Sequence, residues 1–113
     1  MKVNFGQFLT RRAFLSPTLE AIVEPMAGGR RMTFPQLNAR SNQVANALTA
    51  DGVKPGDRIA LLLMNGAEFV ESFFAVGKIG AVNVPLNWRL VADELEFILK
   101  DSGATVLIYD ESF

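Results

Sequence analysis

Gly77-Lys78-Ile79-Gly80-Ala81-Val82-Asn83-Val84-Pro85-Leu86-Asn87 decides the fold. It reads as a helix end, a tight turn, a short buried strand and a stop. Gly80 stands where a helix C-terminus needs a left-handed residue, a conformation that costs glycine nothing. Ala81 to Val84 is a short apolar strand. Pro85 has no N–H for a sheet ladder, so the strand is expected to end there.

Moving back from this stretch, a helix is expected from Ala67 to Ile79. Phe69, Val70, Phe73, Phe74, Val76 and Gly77 share one wide face, with Glu68, Glu71 and Ser72 opposite. Before it, Asn65-Gly66 turns the chain, and Arg58 to Met64 is a strand without alternation, hence buried on both faces. Moving forward, the loop Leu86 to Leu90 leads to a helix from Ala92 to Ser102, packed through Leu95, Ile98 and Leu99. Gly103 closes that helix, and Thr105 to Tyr109 is a last strand. A β-α-β-α-β order with short connections implies parallel strands joined by crossovers.

The first half prepares this unit. Residues 4–15 are expected to form a helix capped by Asn4, with Phe5, Leu9 and Ala13 on one face and Ser16-Pro17 ending it. Arg11 and Arg12 would suit a membrane-surface anchor. The segment is short and weakly basic, so a helix docked on its own domain is the preferred reading. Leu19 to Val23 and Arg30 to Thr33 read as strands of a hairpin around Pro25-Met26-Ala27-Gly28-Gly29. Thr33-Phe34-Pro35-Gln36 is a helix start of capping-box type. Leu37, Ser41, Val44, Ala45 and Leu48 recur at helical spacing behind it. Gly52 ends that helix, and Val53 to Asp57 is a turn. The expected fold class is α/β: a partial doubly wound parallel sheet (β-α-β-α-β) preceded by a helix, a β-hairpin and a helix.

Composition narrows the chemistry. The 113 residues suffice for one domain with one core. A formal net charge of -1 offers no basic field to collect nucleic acid. There is no cysteine and no histidine, which excludes thiol nucleophiles, disulfides, the usual zinc sites and imidazole bases. The longest apolar run, Ile59 to Met64, is far too short for a transmembrane segment. No signal-peptide hydrophobic region follows Met1. A cytoplasmic protein with its natural start is expected, and lack of cysteine fits a reducing compartment. Three parallel strands leave an edge and a helix-covering face open, so the chain reads as the opening section of a longer protein.

The motifs offer little catalysis. Gly77-Lys78 lacks the flanking residues of a P-loop, and Gly77-x-x-Gly80 ends a helix instead of opening one. Gly28-Gly29 beside Arg30-Arg31 opens a strand, which favours a hairpin turn over a phosphate cradle. Asp93, Glu94, Glu96 and Asp101 are read as solvated helix charges and not as metal ligands. Ligands of open α/β sheets bind beyond the C-terminal strand ends. Those ends carry Asn65-Gly66, Asn87-Trp88-Arg89 and Asp110-Glu111. Trp88 with Arg89, a flat apolar plate beside a cation, is the candidate for cofactor binding. The competing reading, a Trp over the core rim with a solvated Arg, is preferred. No nucleophile–base pair is recognisable, so no catalytic and no metal residue is assigned.

Two stretches resemble the adenylate-forming superfamily of acyl-CoA synthetases, luciferases and peptide-synthetase adenylation domains. Met32-Thr33-Phe34-Pro35-Gln36-Leu37 is similar to its first core motif, with Gln36 where Glu is usual. Gly77 to Asn87 is similar to the second, the Lys-x-Gly…Val-Pro-Leu-Asn segment. Asp57-Arg58-Ile59-Ala60 and Glu94-Leu95…Asp101-Ser102-Gly103-Ala104 fit in order and spacing. The similarity runs from about Leu19 onward, and Asn87-Trp88-Arg89-Leu90 leans toward fatty-acyl or aryl-CoA ligases. Val91 departs from the usual Ser or Thr helix cap.

The resemblance implies a parent enzyme that activates a carboxylic acid with Mg-ATP to an acyl-adenylate and passes the acyl group to coenzyme A. Such chemistry needs a Gly/Ser/Thr-rich phosphate loop, acidic residues for Mg and ribose, and a mobile C-terminal lysine. None of these elements is in the sequence. Residues 1–113 are therefore expected to be a single N-terminal subdomain, a scaffold without cofactor of its own, with the remainder of the parent as partner. The alternative is a self-standing interaction module that forms a homodimer through its open sheet edge. A small nucleotide-binding domain is disfavoured for want of a phosphate loop.

Overall fold

The protein is described by a computed structural model over residues 6–24, 31–63, 66–86, 89 and 91–109. Its elements run in the expected order: α1 (Gly6–Leu15), β1 (Glu20–Val23), β2 (Arg31–Thr33), α2 (Phe34–Ala50), β3 (Arg58–Leu62), α3 (Ala67–Lys78), β4 (Val82–Pro85), α4 (Ala92–Ser102) and β5 (Val106–Tyr109). β1 and β2 pair antiparallel. β3 is the centre of a parallel sheet of order β4-β3-β5. Asn4, Phe5 and the hairpin turn Pro25 to Gly29 lie outside the described residues.

The Gly80 reversal forms as the sequence requires. Gly80 has φ +72°. Its N–H donates to the Gly77 carbonyl at 3.0 Å, and the Ala81 N–H donates to Val76 at 3.1 Å. These two bonds satisfy carbonyls that a helix end leaves orphaned, in the pattern of a Schellman cap. The turn Lys54–Asp57 docks against it. Pro55 and Gly56 (φ +87°) take the central positions of a type II turn, and the Gly56 N–H reaches the Gly80 carbonyl at 2.9 Å.

Pro85 is a correction. It belongs to β4, opposite Leu61, instead of ending the strand before it. The ladder explains why. Val82 N donates to Asp57 O and Leu86 N to Leu61 O, both at 2.8 Å. In a strand of period 2, the N–H direction of residue 85 is then opposite to that of its two neighbours and points off the sheet edge. A proline there removes no ladder bond.

Two clusters make the core, one on each sheet face. Ile59 and Leu61 are fully buried, with Val76 of α3, Leu48 of α2, Val53 and Ala81 around them. The alternate β3 residues, Ala60 and Leu62, turn to the other face and pack with Leu86 and with Leu95, Ile98 and Leu99 of α4. Each fully buried Ile, Leu or Val contributes about 1.5–3 kcal/mol by leaving water. α1 lies on the outside of α2 and α3, burying Leu9 and Ala13. Gly6 approaches α3 so closely that a Cβ there would lie 2.5 Å from Lys78 N.

α3 departs from its sequence reading. Glu71 and Ser72, expected opposite the buried face, are 3% and 5% exposed. The sheet covers one side of α3 and α2 the other, so a single amphipathic stripe does not describe it.

Candidate functional site

The doubly wound order places a crevice where neighbouring strands send their connections apart, and that is where such sheets bind ligands. Here β3 sits between β4 and β5. A recess of about 480 Å³ opens near the C-terminal end of the sheet, between α2, α3 and β5. Its walls are Leu63, Ile108 and Tyr109 from the sheet, Val44 from α2, and Glu68, Glu71 and Ser72 from α3. Glu71 Oε1 lies 3.5 Å from Arg40 Nε of α2. That partner turns Glu71 into a tie between α2 and α3. The sequence missed this site because its polar members were assigned to solvent.

The candidates at the strand ends are only partly placed. Arg89 is exposed in a turn after β4. Trp88, Asn65, Asn87, Asp110 and Glu111 lie outside the described residues, as do Gly28, Gly29 and Arg30. Arg31 is committed to Glu20, with a two-pronged ion pair of 2.9 and 3.0 Å across the hairpin. Hydrogen bonding to that carboxylate, then its charge, raises the Arg31 pKa. Asp93, Glu94, Glu96 and Asp101 all face solvent. Glu96 pairs with Lys100 at 2.8 Å, and Glu94 Oε1 accepts from Val91 N at 3.2 Å. Valine has no acceptor to return that bond, so α4 starts with half of a capping box, yet it starts at Ala92 as expected. Among the described residues no three carboxylates are grouped to hold a metal.

Whether nucleotide phosphates fit these residues is decided at the helix N-termini, where backbone N–H groups favour anions. At α2, α3 and α4 the chain itself supplies a partner or a negative charge. At α2 the Thr33 hydroxyl accepts from Gln36 N, and Gln36 returns a bond to Thr33 N at 2.9 Å. At α3, the helix facing the crevice, Glu24 Oε1 from the hairpin accepts from Ala67 N at 3.3 Å, and Glu68 adds a second negative charge. α4 carries Asp93 and Glu94 in its first turn. A phosphate would meet carboxylates at α3 and α4. The N-termini of α3 and α4 thus do not fit the phosphates of ATP, and among the described residues no carboxylate cluster fits its magnesium ion.

A second polar cluster lies at the far end of α3. Lys78 Nζ donates to Thr10 Oγ1 at 2.7 Å and to Asn38 Oδ1 at 2.6 Å, joining α1, α2 and α3. Partial burial lowers the Lys78 pKa. Both of these oxygens are neutral, so the cluster fastens α1.

Residues 9–112 match the family model described as AMP-binding enzyme. The long-chain-fatty-acid–CoA ligase FadD13 of Mycobacterium tuberculosis is 51% identical over 106 residues, covering 94% of this chain and 21% of its own length. A feruloyl-CoA synthase from an Amycolatopsis species is 46% identical over 106 residues, again with 94% and 21% coverage. Among solved structures, the inhibitor-bound N-terminal domain of FACL13 from Mycobacterium tuberculosis superposes with a TM-score of 0.90 at 51% identity, over 96% of this chain and 27% of that one. The chain spans about a fifth of the length of the curated relatives it matches. Parallel strands, the Gly80 reversal and the Thr33–Gln36 cap are the parts on which the expected kinship rested, and all three are present. The chain belongs to the AMP-binding enzyme family, and the relatives it matches there include acyl-CoA ligases.

Proposed function

We propose that this chain is the N-terminal structural portion of an ATP-dependent acyl-CoA synthetase acting on fatty or aromatic acids. The parent reaction joins a carboxylic acid to coenzyme A through an acyl-adenylate, with AMP and pyrophosphate released. The carrying observation is the 51% identity to a fatty-acid ligase across nearly all of this chain but only 21% of that relative. In this reading residues 1–113 supply three strands and their covering helices, and the remainder of the parent is their partner. ATP, Mg and CoA are held by that remainder, since α3 and α4 present carboxylates where phosphate would bind. Absence of cysteine suits work in the cytoplasm. Among the described residues no helix is long and apolar enough to cross a membrane.

The test is release of pyrophosphate from ATP by the 113-residue chain, given CoA and a panel of fatty and aromatic acids. No turnover is expected. Turnover above a heat-denatured control would overturn the scaffold reading.

The second reading is a self-standing module that dimerises through the sheet. The observation in its favour is that both outer strands, β4 and β5, have one unpaired side among the described residues. A discrete dimer by size-exclusion with light scattering supports it, and a monomer at all concentrations excludes it.

A further inference from the structure

A cavity of about 540 Å³ lies on the outer side of the molecule, between α1, the hairpin and α3, away from the crevice. This volume is within the range of about 300–1,000 Å³ typical of small-molecule sites. Its floor is Leu37, 2% exposed, and its walls include Phe34, Phe74, Val70 and Leu15. The charged residues lining it, among those described, are Arg11 and Arg12, and no carboxylate lines it. Among the described residues Arg12 Nη1 bonds the neutral Ser16 hydroxyl, at 3.2 Å. Arg11 makes no ion pair among the described residues. Three other cavities among the described residues differ. Those at the crevice and on α4 contain acidic residues. The one beside Arg31 and Arg40 has both cations already paired.

We propose that this cavity binds a single-tailed anionic amphiphile, a long-chain carboxylate, with its tail over Leu37 between Phe34 and Phe74 and its head group at Arg11 and Arg12. An apolar trough with two cations on one lip is complementary to a molecule with one charged end. Arginine holds carboxylates with paired N–H donors, and its own methylene stem extends the apolar wall. Phe8, Phe14 and Leu15 of α1 are exposed beside this recess, so a bilayer is the rival occupant, and the vesicle arm of the experiment separates the two. The proposal stands independently of the ligase reading, because the cavity shares no residue with the crevice.

The experiment is a fluorescence titration of the full 113-residue chain with a dansyl-labelled undecanoate, followed by displacement. The expected result is saturable one-to-one binding, displaced by laurate and not by dodecanol. The variant Arg11→Glu/Arg12→Glu should weaken it about tenfold or more, the scale of losing charge-assisted bonds. Arg11→Lys/Arg12→Lys should retain most of it. Both pairs are exposed, so the circular dichroism spectrum should not change. Absence of saturable binding, equal displacement by dodecanol, or an unchanged affinity in the Glu variant would each overturn the proposal. So would binding to phosphatidylglycerol vesicles without affinity for the monomeric probe, which would assign the face to a membrane.

Discussion

At the residue scale, two glycines hold their positions for different reasons, and substitution separates them. Gly80 needs its positive φ, but a Cβ there would meet Pro55 Cβ at an ordinary 3.5 Å. Gly80→Ala should therefore cost only the left-handed strain, about 1–2 kcal/mol. Gly6 needs space: its Cβ would lie 2.5 Å from Lys78 N and 2.7 Å from Lys78 Cα, atoms that cannot rotate away. Gly6→Ala should lift α1 off α3, with overpacking loss of about 1–3 kcal/mol. Urea midpoints give both sizes, and hydrogen exchange tells them apart: only Gly6→Ala should expose α1 amides selectively. Lys78 adds a pH signature. Burial lowers its folded pKa below the ordinary 10.5. Between the two values the unfolded chain binds more protons than the folded one, so stability rises with pH through that window. Lys78→Met should lose that rise. Parallel pH series of the two proteins, ending near 10.5, would show equal slopes if the desolvation argument is wrong.

At the element scale, what decides each helix end is the sequence distance of its cap. The α2 box joins Thr33 and Gln36, three residues apart, and is legible in the sequence by itself. The α3 cap comes from Glu24, 43 positions upstream of Ala67, and the Arg58 guanidinium reaches the Ser102 carbonyl at the α4 end across 44 positions. No local pattern signals either. Glu24→Ala should cost about 1 kcal/mol, as loss of an N-cap does. Hydrogen exchange should quicken at the first α3 amides and stay unchanged in α2. Uniform quickening would mean that Glu24 acts on the hairpin instead. The same limit explains the crevice. Parallel strand direction followed from β-α-β-α-β, and with it the end of the sheet where a ligand would sit. Its Glu71 and Ser72 were assigned to solvent because a helical wheel counts one buried face, and α2 gives α3 a second. Trp88, the sequence candidate, lies beyond the described residues, so the likeness to ligases rests on the scaffold and not on a binding pair.

At the scale of the whole molecule, the two sheet faces are finished unequally. α2 and α3 seal the face of Ile59 and Leu61, both fully buried. On the other face α4 covers Ala60 and Leu62, while Leu107, the neighbour of Ala60 on β5, remains 37% exposed and Val82 on β4 48% exposed. A stable interface needs about 1,200–2,000 Å² of buried surface, and this flank together with the unpaired strand edges is the place in the described chain where a sheet partner would sit. Lysine on an exposed strand discourages such pairing by leaving an unsolvated charge in any interface. Val82→Lys/Leu107→Lys should therefore reduce concentration-dependent association in light scattering. Both side chains are already partly in water, so the stability obtained from urea unfolding should change by no more than about 0.5 kcal/mol per site. Should the wild-type chain stay monomeric up to the highest soluble concentration, the uncovered flank is not adhesive, and the dimer reading goes with it. Should association fall only because the variant unfolds, the midpoint will have dropped too, and Leu107 then belongs to the core on which α4 rests.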